Sequence, residues 1–581
     1  MNPAPGRPEA SPNPPAKALA SVVGLLVVLT GVMAMMYATR HSISNFSDKL
    51  LSNYFAYTQD LIAAPAIILF LLAMACVRRA PRLPRVGSRG TILCVSAMAI
   101  VGVAAFAGAH FLFGGFPLSR DEYMADFDAR ILAGGAPFAW VSAPWRSMLA
   151  ALQPDFLFRT ADGAFWSSAY LPGNAAIRAL FDQLGIRSMA SPALAAAVAG
   201  LVYAVARKLE PDDPGFAAVA LLLFATSAQF LLTAMTPYAM TAHLALNLAW
   251  LWLALHDRRW SIALAVGASF LACGLHQMLF HPLFVAPFLP WLWLTGRRHA
   301  AMFYAAAIAC FALFWFSYWS VAVAAAAPGS ALGGVAGAPL VDRVEDLVGN
   351  AMRSLTFVLA GDNLLRLLTW QNPLLWVLVA AGLLCWRRLP SVAWSLLGGI
   401  VLTTGAMLVL MPYQGHGWGY RYLHGLLGSF ALLAAYGWKA IAASGEGDRQ
   451  RLHGWLAASV VFSLAILLPL RAYQAAAFVR PYRDADAALS RIPTDVLIIE
   501  SAGRWYATDL VRNDPHLTNR PLRLLAAKLT RRDAAAVCRH YRVRVIGPSS
   551  PELSGLRLVA FRGERAAGER RLRALAGLGC G

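Results

Sequence analysis

Charged residues are scarce in this sequence, and long polar stretches are correspondingly few. Charged side chains make up only 14% of the 581 residues, whereas hydrophobic side chains make up 58% and the mean hydropathy is +0.54. A soluble globular protein carries about 25% charged residues, so the composition excludes that class. Apolar stretches of about 18 residues or more recur along the chain, and each is long enough to cross a bilayer core of about 30 Å. We therefore predict an α-helical polytopic membrane protein.

Acidic residues are scarcer than basic ones, with 30 Asp and Glu against 50 Lys and Arg, which gives a formal charge of +20. A nucleic-acid-binding protein would need one contiguous basic face. The basic residues instead form short clusters on alternate loops between apolar runs, a pattern that excludes that function and orients the spans with the clusters in the cytoplasm. The clusters include Arg78–Arg79, Arg207–Lys208, Arg258–Arg259, Arg297–Arg298 and Arg387–Arg388.

Cysteine is also infrequent, and the seven cysteines include no Cys-x-x-Cys motif. Five of them lie in apolar runs and are expected to be small buried hydrophobic residues. Cys538 and Cys580 lie in the polar carboxyl-terminal tail and could pair if that tail is in an oxidising compartment.

The apolar runs predict about thirteen spans, and a cleavable signal peptide is not expected because the first run is long and others follow it. The predicted spans are 18–38, 60–77, 91–114, 189–206, 214–233, 237–255, 261–280, 282–295, 301–324, 372–386, 391–412, 422–440 and 455–470. Residues 1–17 are then a disordered cytoplasmic segment, and 18–470 form a transmembrane domain with outer loops 115–188 and 325–371.

The tail, residues 471–581, is more polar than the rest and predicts a small extracytoplasmic α/β domain. Buried strands are expected at 494–501, 541–548 and 556–563, because short apolar runs there are bounded by turn residues. Helices are expected at 484–492 and 521–541 from their spacing of apolar residues.

Four carboxylates cluster in SRDEYMADFDARILAGG (119–135), directly behind the third apolar run. Ser119 and Glu122 fit a capping box, and Asp126 and Arg130 fit a favourable i,i+4 ion pair. Asp121 and Asp128 are explained less well by capping, because seven residues on a helix return to the same face and that face adjoins an apolar stripe. Carboxylates in a partly desolvated groove can serve as general bases, so capping and catalysis both remain open.

The stretch DEYMADFDARILAGGAP (121–137), at the start of the first large outer loop, resembles the GT-C superfamily of membrane glycosyltransferases. Within that superfamily, the stretch resembles the branch that contains the protein O-mannosyltransferases and the aminoarabinose transferases that act on lipid A. The resemblance implies transfer of a sugar from a polyprenyl-phosphate donor to a glycolipid, glycan or protein acceptor at the outer face of the cytoplasmic membrane. It also implies that Asp121 is the general base and that Glu122 orients the site. No cofactor is implied beyond the lipid-linked sugar, which is a co-substrate.

Such a reaction needs a cation for the lipid phosphate, and two segments offer one. In 269–290, His276 stands where the family has a lysine, with His281 close by; the alternative for both is a structural histidine. In 412–426, Arg421 lies between Tyr420 and Tyr422 and suits bidentate phosphate contact; the alternative is an interfacial aromatic belt with an arginine. We expect Asp128, His276, His281, Tyr420, Arg421 and Tyr422 to contact substrate.

The sequence departs from some relatives at 233–247, which contains no carboxylate. A two-acid or metal-bridged site is therefore in doubt, and no metal is assigned because no ligand spacing supports one. Two other functions stay open from sequence: a polytopic transporter or flippase, and a non-catalytic subunit of envelope polysaccharide assembly.

Overall fold

The chain is mostly helical, and its computed structural model describes residues 15–40, 50–76, 90–326, 357–443, 445–558 and 562–580. The α-helices in chain order are α1 (Pro15–Arg40), α2 (Leu50–Phe55), α3 (Leu61–Cys76), α4 (Gly90–Ala107), α5 (Arg120–Ala133), α6 (Leu149–Leu152), α7 (Gly173–Gln183), α8 (Ala190–Leu209), α9 (Pro214–Ala225), α10 (Ala228–Ala234), α11 (Met240–Ala254), α12 (Arg259–Cys273), α13 (Phe280–Val285), α14 (Phe288–Leu294), α15 (Arg298–Ala326), α16 (Phe357–Thr369), α17 (Pro373–Leu384), α18 (Ser391–Leu410), α19 (Leu427–Ala442), α20 (Glu446–Phe462), α21 (Leu468–Ser490), α22 (Arg531–His540) and α23 (Arg562–Ala576). Most of segment 1–17, the cluster at Arg78–Arg79 and most of loop 325–371 lie outside these residues.

Each of the thirteen predicted spans corresponds to an apolar helix or helix pair, but the number of spans is corrected. Within the described residues, seven helices are long and apolar enough to cross a membrane, or up to nine if each of two bent pairs is one span. Three of the other four segments are apolar helices of only 10–17 residues, Met240–Ala254, Arg259–Cys273 and Phe280–Leu294, shorter than the roughly 20 residues that a bilayer core requires. The fourth, Ser21–Met35, is the apolar middle of the 26-residue helix α1.

The two bent pairs pack their breaks against each other. The α9–α10 pair bends by 63° and the α16–α17 pair by 108°. Ser227 in the first break donates to Gln371 in the second at 2.6 Å, and Asn372 donates to Thr226 at 3.0 Å. Irregular backbone within a membrane protein is tolerated where protein groups satisfy its polar atoms, and these side chains do so.

Two small sheets lie outside the apolar helices. The first is antiparallel, with β1 (Ala139–Trp140), β2 (Leu157–Arg159) and β3 (Phe165–Ser168) in the order β1-β3-β2. The second is parallel, with β4 (Val496–Ile499), β5 (Leu522–Leu525) and β6 (Val543–Ile546) in the order β5-β4-β6. The second sheet and its flanking helices confirm a small α/β unit at the carboxyl terminus.

Two predictions in this unit need correction, and a third is confirmed as part of a longer helix. The strand expected at 556–563 is absent among the described residues there, of which Leu558 forms only an isolated bridge with Arg504. The helix expected at 521–541 begins with strand β5 and becomes helical only in α22. A short leucine-rich run does not distinguish a buried strand from a helix, and parallel pairing with β4 decides this one. The helix expected at 484–492 is the end of α21. A π-helical turn joins α20 to α21, so the two form one continuous helix, Gly447–Ser490.

The carboxyl-terminal unit packs directly on α5 and the first sheet. Arg120 donates to the Val511 carbonyl at 2.7 Å, and the Trp166 indole donates to the Pro515 carbonyl at 2.8 Å. Within the unit, Cys538 and Cys580 form a disulfide. The segment 115–188 and the tail, both predicted to be outer segments, therefore share one interface.

Basic loops and the acidic helix lie at opposite ends of the helical bundle. Arg297 pairs with Asp257 at 2.9 Å beside the first residues of α12, whereas His276 follows the last residues of that helix. Because α12 has 15 residues, these ends are about 22 Å apart. Asp121 lies at the His276 end, because both residues line the same small cavity.

Candidate active site

The start of α5 is fixed by its cap. Ser119 accepts a hydrogen bond from the Glu122 amide, and the Glu122 carboxylate accepts one from the Ser119 amide at 2.7 Å. This confirms the capping box predicted from the sequence. Tyr238 adds a 2.7 Å hydrogen bond to the Ser119 hydroxyl, so the helix start is held against the membrane domain. Asp121 is thereby placed in the first turn.

Asp121 lies in a mostly buried cluster with an arginine and a tyrosine. Its two carboxylate oxygens accept hydrogen bonds from the Tyr170 hydroxyl and the Arg421 guanidinium. The Asp121 and Arg421 side chains are 11% and 14% exposed. Burial opposes ionisation of Asp121, but the charge of Arg421, that of the His276 ring when it is protonated, and the bond from Tyr170 outweigh it and lower its pKa. Asp121 is therefore an ionised carboxylate held against a cation.

Backbone pairing between two loops positions Tyr170. The Gly173 amide donates to the Gly274 carbonyl at 2.7 Å, and the Asn174 amide donates to the Leu275 carbonyl at 3.1 Å. A Cβ atom at Gly173 would lie only 2.6 Å from the Gly274 carbonyl oxygen, so this approach requires glycine. The same pairing brings the His276 ring over the Tyr170 ring, with 3.9 Å between centroids.

Arg421 is positioned by the glycine-rich loop that precedes it. Its backbone amide donates to Gln414 at 2.9 Å. Gly419 has φ of +69°, and a Cβ there would lie 2.4 Å from the Gln229 amide oxygen. Gln229 itself donates to the Tyr420 carbonyl at 2.8 Å. The close backbone approach expected from these glycines is thus present, and it turns Arg421 toward Asp121.

Asp128 faces the same small cavity as Asp121, as the spacing of seven residues predicts. It is buried and accepts hydrogen bonds from the Ser167 hydroxyl at 3.0 Å, the Ser168 amide at 2.9 Å and the Ser168 hydroxyl. Burial raises its pKa to about 6, although the serine bonds oppose the shift. These bonds attach β3 to α5, so Asp128 has a structural role in addition to its place in the cavity wall.

Glu122 lies behind Asp121 and has no direct contact with Arg421 among the described contacts. Its side chain is 2% exposed. Burial raises its pKa to about 7, against the hydrogen bonds from Ser119. Through Ser119 it reaches Tyr238, which in turn contacts His416 at 2.8 Å.

Three further residues that were predicted to contact substrate differ in their surroundings. His281 is completely buried, and its ring nitrogens bond to Asn247 at 2.8 Å and Ser269 at 2.9 Å. This is the bonding of a structural histidine, and it leaves no ring nitrogen for a substrate, so we remove His281 from the site. Tyr422 places its ring 5.2 Å from the Arg421 guanidinium. Tyr420 is 2% exposed, and its hydroxyl has no partner among the described residues.

The predicted pair between Asp126 and Arg130 does not form. Asp126 instead pairs with Arg178 at 2.8 Å and Arg187 at 3.2 Å. Tertiary packing of α7 and of the turn before α8 against α5 brings these cations closer than the neighbour on the same helix. Arg130 is consequently exposed on the opposite side of α5 from Asp121.

A buried charge cluster beneath the site was not expected from the sequence. Asp60 accepts hydrogen bonds from Trp370 at 2.8 Å and Arg471 at 3.1 Å. Arg366 lies 3.7 Å from the same carboxylate and donates to the Gly417 carbonyl at 2.7 Å, which ties the cluster to the loop before Arg421. Asp60 at the start of the second predicted span and Arg471 directly after the last one could have indicated this cluster. Ionisable residues in such segments are usually functional.

Tyr170 and Tyr238 were also missed as site residues. Tyrosines are common near membrane interfaces, and nothing in the local sequence separates these two from the others. Among the described residues, no group of three or more His, Cys, Asp or Glu side chains is placed to hold a metal ion.

No protein-family model matches the chain, and no curated protein matches it by sequence. Solved structures with a similar fold include ArnT from Cupriavidus metallidurans bound to undecaprenyl phosphate, with TM-score 0.47, 13% identity, and coverage of 74% of this chain and 85% of ArnT. They also include the apo oligosaccharyltransferase of Archaeoglobus fulgidus, with TM-score 0.39, 12% identity, and coverage of 69% of this chain and 58% of that chain. Both similarities are at low sequence identity, and both TM-scores are below 0.5.

Proposed function

We propose that this chain is a glycosyltransferase that moves a sugar from a polyprenyl-phosphate donor to an acceptor hydroxyl at the outer face of the membrane. The observation that supports this most directly is the cluster of Asp121, Arg421 and Tyr170. It combines a carboxylate base, a phosphate-binding cation and a hydroxyl donor in one mostly buried cluster. Acid–base transfer and charge stabilisation are the two requirements of the reaction.

In the proposed step, Asp121 accepts the proton of the acceptor hydroxyl while that oxygen attacks the anomeric carbon of the sugar. A new carbon–oxygen bond forms, and the bond from the anomeric carbon to the phosphate oxygen breaks. The electron pair stays with the departing lipid phosphate, whose charge Arg421 stabilises. Tyr170 holds the second oxygen of Asp121, which fixes the orientation of the base.

The ion pair between Asp121 and Arg421 suggests how the donor prepares the base. Arg421 lowers the pKa of Asp121, which weakens it as a base. A donor phosphate bound at Arg421 would share that cation and add negative charge near Asp121. Both effects raise the pKa of Asp121, so the base becomes stronger when the donor is in place.

The position of the site supports the proposed sidedness. Arg258–Arg259 and Arg297 lie at one end of α12, and His276 lies at the other. Under the positive-inside rule the basic end faces the cytoplasm, so Asp121 and the carboxyl-terminal unit face away from it. The disulfide in that unit suits an oxidising compartment. A cytoplasmic membrane with an external site is therefore our proposal.

The test is Asp121→Asn, measured as sugar transfer from a polyprenyl-phosphate sugar to envelope glycolipids by mass analysis. Loss of the base is expected to reduce transfer by about 10²–10⁴-fold. Asp212→Asn is the matched control, because Asp212 is exposed in the loop at the basic end. If purified, stably folded Asp121→Asn protein retains full transfer, Asp121 is not the base, and a transporter or non-catalytic subunit becomes the better interpretation.

A further inference from the structure

A large groove lies along the side of α5 that faces away from Asp121. It encloses about 1180 Å³ between the outer end of α4, helix α5, the start of α8 and the carboxyl-terminal unit. We call it the arginine groove, because its lining includes more arginines than acidic residues. The arginines are Arg130, Arg178, Arg187, Arg483, Arg512, Arg520 and Arg523, and the acidic residues are Asp126, Asp486 and Asp514. Ligand pockets usually enclose about 300–1,000 Å³, so the groove has room for more than a small ion.

The charges of the groove are unbalanced. Asp126 is shared by two arginines, Arg178 and Arg187, so one positive charge there is not neutralised. Arg130 and Arg520 are exposed and have no ion pair within the described part of the chain. Arginine guanidinium groups bind phosphate and carboxylate groups with two parallel hydrogen bonds. The lining therefore favours an anionic occupant.

The mouth of the groove is apolar and belongs to a helix that faces lipid. Phe106 lines it and is 41% exposed. It lies on α4, whose span Gly90–Leu112 has only 17% of its most apolar window buried inside the protein. A groove that runs from such a helix to a basic interior matches an amphiphile, with its chains at Phe106 and its headgroup at the arginines.

The end of α4 is shaped to form this mouth. The turn that continues α4, Gly108–Leu112, is π-helical, a distortion that is frequent at functional sites. A Cβ at Gly108 would lie 2.3 Å from the Met235 sulfur. Gly114 has φ of +64°, and a Cβ there would lie 2.8 Å from Arg483. The glycines allow Met235 and Arg483 to pack closely against this turn at the mouth of the groove.

We propose that the arginine groove binds an anionic lipid, with the phosphate or carboxylate of its headgroup against Arg130 and Arg520. This binding is separate from the proposed sugar transfer, because α5 lies between the two sites. Asp121 and Asp128 face the small cavity, whereas Asp126 and Arg130 face the groove.

The experiment compares the affinity of the purified full chain for phosphatidylglycerol and for phosphatidylcholine. Arg130→Gln with Arg520→Gln should weaken phosphatidylglycerol binding by about 30-fold, taking about 1 kcal/mol for each arginine. Arg532→Gln with Arg539→Gln is the matched control, because it removes the same charge from exposed positions on α22 outside the groove. Its affinity should equal that of the wild type.

Two further measurements identify the source of the anion. Phe106→Gln should weaken phosphatidylglycerol binding and leave the weak binding of inorganic phosphate unchanged. If the double variant does not fold, Arg130→Gln alone should still lower the affinity by about fivefold.

Three results would overturn the proposal. Equal phosphatidylglycerol affinity in the wild type and the folded groove variants would show that the arginines do not contact the headgroup. Equal binding of phosphatidylcholine would show that the charge is not recognised. Inorganic phosphate that binds as tightly as phosphatidylglycerol would show a site for free phosphate. None of these readouts depends on sugar transfer, so they can fail while the transfer proposal stands.

Discussion

The four acids of α5 have four different partners, although the sequence places them within eight residues. Glu122 caps its own helix, Asp126 holds two arginines, Asp128 holds β3, and Asp121 alone pairs with a cation from the distant loop before α19. Their environments, rather than their residue type, therefore assign their roles. Asp121 is the one whose partner suits phosphate chemistry.

At this residue scale, Arg421 provides a test of how the donor prepares the base. Arg421→Lys keeps the charge but loses the two parallel hydrogen bonds, so kcat/KM for transfer should fall by about 10-fold or more. Arg421→Gln should lower it further, because a charge-assisted hydrogen bond contributes about 1.5–3 kcal/mol.

Arg421→Gln should also move the acidic limb of the pH–rate profile upward. Without the cation, burial dominates and the pKa of Asp121 rises, so activity is lost at a higher pH than in the wild type. Identical acidic limbs in the two proteins would contradict the assignment of Asp121 as the titrating base.

Glu122 gives a second prediction at the residue scale. Burial raises its pKa in the folded protein to about 7, from an ordinary value of 4.5. The folded state therefore keeps this proton to a higher pH than the unfolded state, so its contribution to stability is full below pH 4.5 and is lost as the pH rises toward 7. Glu122→Gln keeps the capping interaction but does not titrate.

The measurement for Glu122 is the melting temperature of both proteins from pH 5 to pH 8, in one detergent. Glu122→Gln should become more stable relative to the wild type as the pH rises. Asp128 is present in both proteins, so its own raised pKa cancels in the comparison. Melting curves whose difference is independent of pH would show that Glu122 does not titrate in this window.

At the scale of elements, the buried Asp60 cluster joins helix α16, helix α21 and the loop that carries Arg421. Arg471 and Asp60 are both completely buried. Arg471→Met removes the hydrogen bonds from this guanidinium to Asp60 and to the Thr369 carbonyl, and it leaves Asp60 with Arg366 at 3.7 Å. The variant is therefore expected to destabilise the protein by about 1.5–3 kcal/mol.

The loss in Arg471→Met is measured as a fall in melting temperature. Arg480→Met is the matched control, because Arg480 is exposed on the same helix and should change the melting temperature little. Because Arg366 also supports Gly417, Arg471→Met should loosen the loop and weaken donor binding as well. An unchanged melting temperature would mean that the cluster does not stabilise the packing of these elements.

At the scale of the whole molecule, the carboxyl-terminal unit packs on α5. The two must therefore lie on the same side of the membrane. If both are extracytoplasmic, Ser554→Cys should react with a membrane-impermeant maleimide added outside sealed membranes, whereas Asp212→Cys should not. Both positions are exposed, and the measurement uses chains that lack the other free cysteines. Labelling of Asp212→Cys alone would reverse the proposed orientation.

The sequence by itself determined the class of fold and the local features. Apolar run length located thirteen helical segments, and the Ser119–Glu122 motif located the start of α5, because both depend on residues close together in the chain. Strand β4 and strand β6 were predicted for the same reason. The number of true spans was not, because helix bends and lengths depend on packing between segments.

Only the tertiary structure decided which of the predicted polar residues meet. Asp121 and Arg421 are separated by 300 positions in the chain, and no periodicity connects them. Tyr170 reaches Asp121 only because Gly173 and Gly274 allow two loops to pair, and His281 is excluded only because Asn247 and Ser269 occupy its nitrogens. Long-range packing sets the partners of a buried charge, and those partners, rather than the local sequence, decide whether it caps a helix or serves a reaction.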